Sequence, residues 1–169
     1  MLEIFDTRQK QAVLAVFLLS FASIAAAYGF EYIGGYKPCA LCYQQRLVYY
    51  LVVPLTGIFV GLALAGKNPG ALLSAKQLLW VAVIAMLTGA GLAAYHAGVE
   101  WKLWAGPTSC TGGGGLSGGL PDFSKAKVVM CDEAQLRIFG LSFAGWNVVV
   151  SLMVVFIAIW GLKSKASKS

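Results

Sequence analysis

The sequence predicts an all-α membrane protein, a four-transmembrane-helix bundle with a long extracytoplasmic loop between helices three and four. Three observations carry that prediction. Of 169 residues, 59% are hydrophobic and only 12% charged, far from the composition of ordinary soluble domains. Asp, Glu, Lys and Arg leave four long gaps, Gln11 to Phe30, Leu47 to Gly66, Gln77 to Val99 and Ile138 to Leu162. A hydrocarbon core of ~30 Å takes about 20 helical residues, and every gap reaches that length. None of them alternates in and out as a membrane barrel requires, and inside lipid only helices or closed barrels satisfy the backbone. We therefore read residues 1–169 as a single integral membrane domain, with spans at about 12–30, 47–66, 77–97 and 141–162 and outer loops at about 31–46 and 98–140.

The first span follows Arg8 and Lys10. Its apolar stretch and the run Ala25-Ala26-Ala27 imitate a secretory signal, but the stretch exceeds the roughly 7 to 15 residues of a signal's apolar core. Removing it would leave the other spans with the same orientation. After the Gly- and Tyr-rich connection Glu31 to Pro38, the second span opens on Cys39-Ala40-Leu41-Cys42, with Pro38 suited to the first turn of a helix. Pro54 predicts a kink further in. A short loop around Lys67-Asn68-Pro69-Gly70 makes spans two and three antiparallel neighbours. Small residues four apart, Ala22 with Ala26, Gly57 with Gly61 and Ala85 with Gly89, predict close helix contact. From Gly98 to Gly140 the chain is more polar, with Trp101, Leu103 and Trp104 suited to the membrane interface and a hinge of six glycines between Thr111 and Gly119. That run lacks the Gly-Lys-Ser/Thr ending of a phosphate loop.

Charge bears on partners and orientation. The net charge of +6 is scattered over short connections, so nucleic acid is an improbable partner and the lipid bilayer the natural one. Arg8, Lys10, Lys67, Lys76, Lys163, Lys165 and Lys168, seven of thirteen basic residues, fall on one face, which favours cytoplasmic termini.

Four cysteines then point to chemistry. Two crossings separate the connection holding Cys39 and Cys42 from the loop holding Cys110 and Cys131, so all four face one compartment, an oxidising one if the termini are cytoplasmic. A zinc site would want two close clusters, and there is only one Cys-x-x-Cys. For Cys110 and Cys131 alone, a structural disulfide is the leading reading. The Cys39 pair shifts the balance, because a helix N-terminus stabilises thiolate and Arg46, four residues after Cys42, adds a fixed cation on the same face. A dithiol closing to a disulfide releases two electrons. No Cys-x-x-Cys-His haem site or dinucleotide-binding turn is present, and by elimination the acceptor is a quinone dissolved in the bilayer. His96, near the outer end of span three, is placed to share a pocket with Arg46.

The combination Cys39-Ala40-Leu41-Cys42-Tyr43-Gln44-Gln45-Arg46, Tyr95-His96, Cys110, Cys131, Gln135, Phe139-Gly140-Leu141-Ser142 and Trp146-Asn147 resembles the DsbB family over nearly the whole chain. The resemblance implies a quinone-dependent protein thiol oxidase of the bacterial inner membrane, with periplasmic cysteines, that reoxidises a DsbA-like thioredoxin-fold partner. It further implies that Cys110 and Cys131 form the disulfide the partner attacks, with Cys110 giving the mixed disulfide. Cys39 and Cys42 reoxidise that pair, and Cys42, Arg46 and His96 bind the ubiquinone or menaquinone; no metal, haem or flavin is expected. Leu136 stands where that family commonly has Trp, and the glycine run replaces a more ordinary loop. Two alternatives compete. One is a membrane subunit with purely structural cysteines, the other an enzyme like vitamin K epoxide reductase, whose Cys-x-x-Cys normally comes late in the chain.

Overall fold

A computed structural model of the chain describes residues 7–71, 74–107 and 131–163. The glycine run and Cys110 lie outside them. Four helices dominate: α1 (Arg8–Tyr32), α2 (Ala40–Leu64), α3 (Ala75–Glu100) and α4 (Phe143–Leu162). All four are long and apolar enough to cross a membrane, and the protein is a multi-pass membrane protein of the four-helix type.

Side-chain caps define where the helices begin. Thr7 accepts from the Lys10 amide at 3.4 Å, and Ser74 and Gln77 form a reciprocal capping box. Ser142 caps α4 by accepting from Gly145, and Cys39 caps α2 through its sulfur. Consequently α2 starts at Ala40, well ahead of Leu47, and the connection after α1 is shorter than residues 31–46. Pro38 precedes the cap instead of sitting in the first turn. Pro54 lies inside α2 without ending it. At the other end Gly66 adopts φ +69°, the left-handed conformation that closes a helix, and its amide bonds the Ala63 carbonyl at 3.0 Å.

Each helix packs against the next, and α4 closes the ring by returning to α1, with α3 against α4 the most extensive pairing. Val13, Val16, Val52, Leu78, Leu79, Met86 and Val154 form the core, each at most 2% exposed. Lipid-facing bulk lies on the outside of all four helices, for example Leu18, Leu51, Ile84 and Phe156. Glycines set the closest approaches. A Cβ on Gly161 would lie 2.4 Å from Ala12 Cβ, one on Gly57 2.9 Å from the Phe17 ring, and one on Gly89 2.9 Å from Val48. Gly61, by contrast, has open space around it. Ala22 and Ala26 line a cavity, so that pair makes room rather than helix contact.

Beyond α3 the chain turns back, and the Trp104 indole donates to the Tyr95 carbonyl at 2.9 Å while its ring covers Gly98. Before α4 lies a hairpin that the sequence did not announce. Strands β1 (Arg137–Ile138) and β2 (Leu141–Ser142) pair antiparallel, with Arg137 opposite Ser142. Phe139 (φ +51°) and Gly140 (φ +83°) form the tight turn, both in the left-handed region that a two-residue I′ hairpin demands. Trp146 holds the hairpin to α4 by donating to the Ile138 carbonyl at 2.9 Å.

Candidate functional site

The site is built at the end of the bundle where α2 and α4 begin and α3 ends. Cys39, as N-cap, presents its sulfur to the first turn of α2 and accepts from the Cys42 amide at 3.3 Å. The i, i+3 spacing across that turn brings Cys42 Sγ to 2.9 Å from Cys39 Sγ, and both are free thiols. His96 approaches from α3, its Nε2 3.7 Å from Cys39 Sγ. Cys131 arrives from the loop, 1% exposed and disulfide-bonded. Its sulfur, Cys39 Sγ and a ring nitrogen of His96 all lie within 4.8 Å of one another. Such a cluster has the size of a metal site, although a disulfide sulfur is not a thiolate ligand, and its sulfurs are close enough to exchange with one another.

Two contacts hold Cys131 down. Lys102 and Asp132 pair at 2.5 Å, and the Gln135 amide donates to the Lys37 carbonyl, tying the loop to the α1–α2 connection. Asp132, beside Lys102, is held below the usual carboxylate range. The Cys39 thiol is lowered to about 4, first by the hydrogen bond with Cys42 and then, against burial, by the one with His96.

Inward of the sulfurs, a cavity of about 450 Å³ opens between α1, α2 and α4. Cys42, Arg46 and His96 all line it, together with the apolar Ala22, Phe30 and Val150. Its size and its mainly apolar wall with a few polar groups suit a small-molecule site. Phe30 and Phe143 both line it, their ring centroids 4.8 Å apart. Sequence reasoning brought Cys39, Cys42, Arg46 and His96 together, and here they share one wall.

Other residues of the site carried no assigned role in the sequence. Glu31, read as loop, pairs with Arg46 at 2.5 Å, and the guanidinium also lies over the Tyr28 and Tyr43 rings at 5.0 and 5.4 Å. Arg46 is therefore a fixed member of the wall, not a mobile surface cation. Glu100, one turn after His96, is buried with its Oε1 3.8 Å from His96 Nε2, and its Oε2 has no hydrogen-bond partner among the described residues. Gln45, Tyr49 and Asn147 connect to His96 through the interior. Glu100 had a legible signal, an acid four residues from the one histidine. Gln45, Tyr49 and Asn147 are uncharged polar residues in apolar helices, for which spacing offers no sign of a shared partner.

Comparison with known proteins agrees with this geometry. A family model described as "Disulfide bond formation protein DsbB" matches residues 9–161. Among relatives, a "Disulfide bond formation protein B" of Methylococcus capsulatus is 31% identical over 153 residues, covering 85% of this chain and 87% of the relative. One of Hahella chejuensis is 30% identical over 158 residues, covering 86% and 89%, and one of Cupriavidus metallidurans 27% over 157 residues, covering 88% and 89%. No solved structure matches the chain.

Proposed function

The chain belongs to the DsbB family of disulfide bond formation proteins, and from that premise we propose that it is a quinone-dependent protein thiol oxidase of the bacterial inner membrane. It reoxidises a DsbA-like thioredoxin-fold partner in the periplasm and so supports disulfide bond formation. The observation that carries the reading is the line of sulfurs, with Cys131 beside Cys39 and Cys39 beside Cys42 at the cavity wall.

Electrons enter when a thiolate of the partner attacks the loop disulfide at Cys110, releasing Cys131. When Cys39 and Cys42 are oxidised, the Cys131 thiolate attacks Cys39, the Cys39–Cys42 bond breaks, and Cys42 leaves as thiolate. The partner's second thiolate then attacks its own mixed disulfide and frees Cys110 as thiolate, releasing the oxidised partner; Cys110 attacks Cys131, Cys39 is expelled, and the electron pair rests on the Cys39 pair. The free Cys39 and Cys42 and the bonded Cys131 correspond to that stage. A lowered Cys39 thiol makes it a good leaving group in the last exchange, when Cys110 displaces it from Cys131.

The cavity fits a quinone in chemistry, being apolar along α1 with the Arg46 guanidinium set in its wall and the Cys42 sulfur at its edge. Bound there, a quinone would supply the acceptor for two electrons and two protons. Cys42 would face it, Arg46 and His96 would orient it, and Phe30 with Phe143 would keep water out. The free inner thiols speak against purely structural cysteines.

The test uses the full chain in lipid nanodiscs, supplied with a reduced thioredoxin-fold oxidase and ubiquinone. Quinone absorbance should fall with wild-type protein and stay at background with Cys42→Ser. Quinone reduction that survives the substitution refutes the electron route.

A further inference from the structure

Four polar side chains lie end to end through the apolar interior of the bundle. The Tyr49 hydroxyl donates to Asn147 Oδ1 at 2.5 Å, Asn147 Nδ2 donates to Gln45 Oε1 at 2.6 Å, and Gln45 Nε2 lies 2.8 Å from His96 Nδ1. They join α2, α4 and α3 across the core, and Gln45, Tyr49 and His96 are all buried. All four also border the cavity, and within the row each group finds a hydrogen-bond partner in its neighbour.

The row has a direction. An amide nitrogen can only donate, and an amide oxygen can only accept. The Tyr49 hydroxyl proton is directed at Asn147 Oδ1 and the Asn147 Nδ2 amide at Gln45 Oε1, which sets which way round the Asn147 amide sits. Its nitrogen must then face Gln45, whose oxygen accepts and whose nitrogen in turn faces the ring. With a donor at Nδ1, the imidazole accepts there and carries its own proton on Nε2. Nε2 faces Cys39 Sγ at 3.7 Å and Glu100 Oε1 at 3.8 Å, and the ring also hydrogen-bonds the Cys131 backbone.

We propose that Tyr49, Asn147 and Gln45 are positioning residues that hold His96 as the neutral Nε2–H tautomer, so that the ring donates a hydrogen bond to the Cys39 sulfur and does not take that thiol's proton. The histidine then steadies a thiolate as a fixed donor, and the thiol proton leaves by another route. Run in reverse, the same row would protonate Nδ1 and turn Nε2 into a base aimed at Cys39. The direction of the amides thus selects between two roles for one ring. The role assigned to the ring rests on the thiol oxidation proposed above.

His96 is the only histidine in the chain, so ¹⁵N-histidine labelling yields one pair of ring signals. In the full chain in nanodiscs, with Cys39 and Cys42 reduced, wild type should show the proton on Nε2. Asn147→Asp removes the N–H that faces Gln45, forcing that amide to turn and offer its oxygen to the ring. Gln45→Glu places an acceptor at Nδ1 directly. Both variants should gain a proton on Nδ1, a change that loss of packing alone would not produce. A wild-type ring protonated on Nδ1, or the same ring pattern in all three proteins, overturns the proposal. The signals are read without turnover, so a protein that fails to consume quinone leaves this result standing or falling by itself.

Discussion

Cys39 combines two environments that rarely meet, a helix N-cap and a buried sulfur cluster. A thiol of ordinary pKa gains thiolate about tenfold per pH unit until ~8.5. With its value lowered to about 4, Cys39 is thiolate across the neutral range. Alkylation of the reduced protein, followed by mass spectrometry of the Cys39 peptide, should give a rate that is flat from about pH 6 to 8. A rate that climbs through that range would show an ordinary thiol. The position of Cys39 and Cys42 at a helix mouth was legible because the spacing and Pro38 stand together in the sequence. Glu31 was not. It meets Arg46 only because α1 continues through Tyr32, beyond the charge-free stretch on which the span was drawn. With side chains only 10% and 16% exposed, the pair leaves a nearly buried cation when broken. Glu31→Ala should lower stability by about 1–3 kcal/mol, with Arg46→Ala recovering part of the loss in the double variant. Additive effects in thermal unfolding would mean the two side chains do not interact.

Among the helices, small residues have different tasks that spacing alone cannot separate. Gly161 lets α4 touch α1, whereas Gly91 on α3 has open space. In a helix interior, Gly→Ala gains up to about 1 kcal/mol when nothing obstructs the methyl group. Gly91→Ala should therefore leave the unfolding temperature level or raised, while Gly161→Ala should lower it through overpacking of about 1–3 kcal/mol. Equal shifts for both would contradict the close approach of α1 and α4. Charge-free gaps long enough to cross a bilayer made all four helices legible. The β1–β2 hairpin was invisible for the opposite reason: two-residue strands are too short to show a period, and Phe139 at φ +51° occupies a position where sequence leads one to expect Asn or Gly.

For the molecule as a whole, the order of the helices puts both described cysteine-bearing connections at one end and the Lys67 loop at the other. In a cysteine-free background, Phe139→Cys should react with a membrane-impermeant maleimide added to spheroplasts, and Asn68→Cys should react only after lysis. The reverse pattern would place the cysteines in the cytosol and remove the oxidising compartment the function needs. The bundle and the facing of the cysteines were legible because crossings can be counted. The cavity was not, since its wall is assembled from all four helices, and a space between helices leaves no mark along the chain.

One atom joins these scales. In the proposed cycle the sulfur that caps α2 is also the one that changes covalent partner, and a disulfide sulfur is a poorer acceptor than a thiolate. Oxidation of Cys39 would then weaken the first anchoring bond of the α2 backbone, so that the end of that rod would loosen and tighten once per turnover. Amide exchange at Cys42 would read that breathing as faster solvent access in the oxidised protein than in the reduced one.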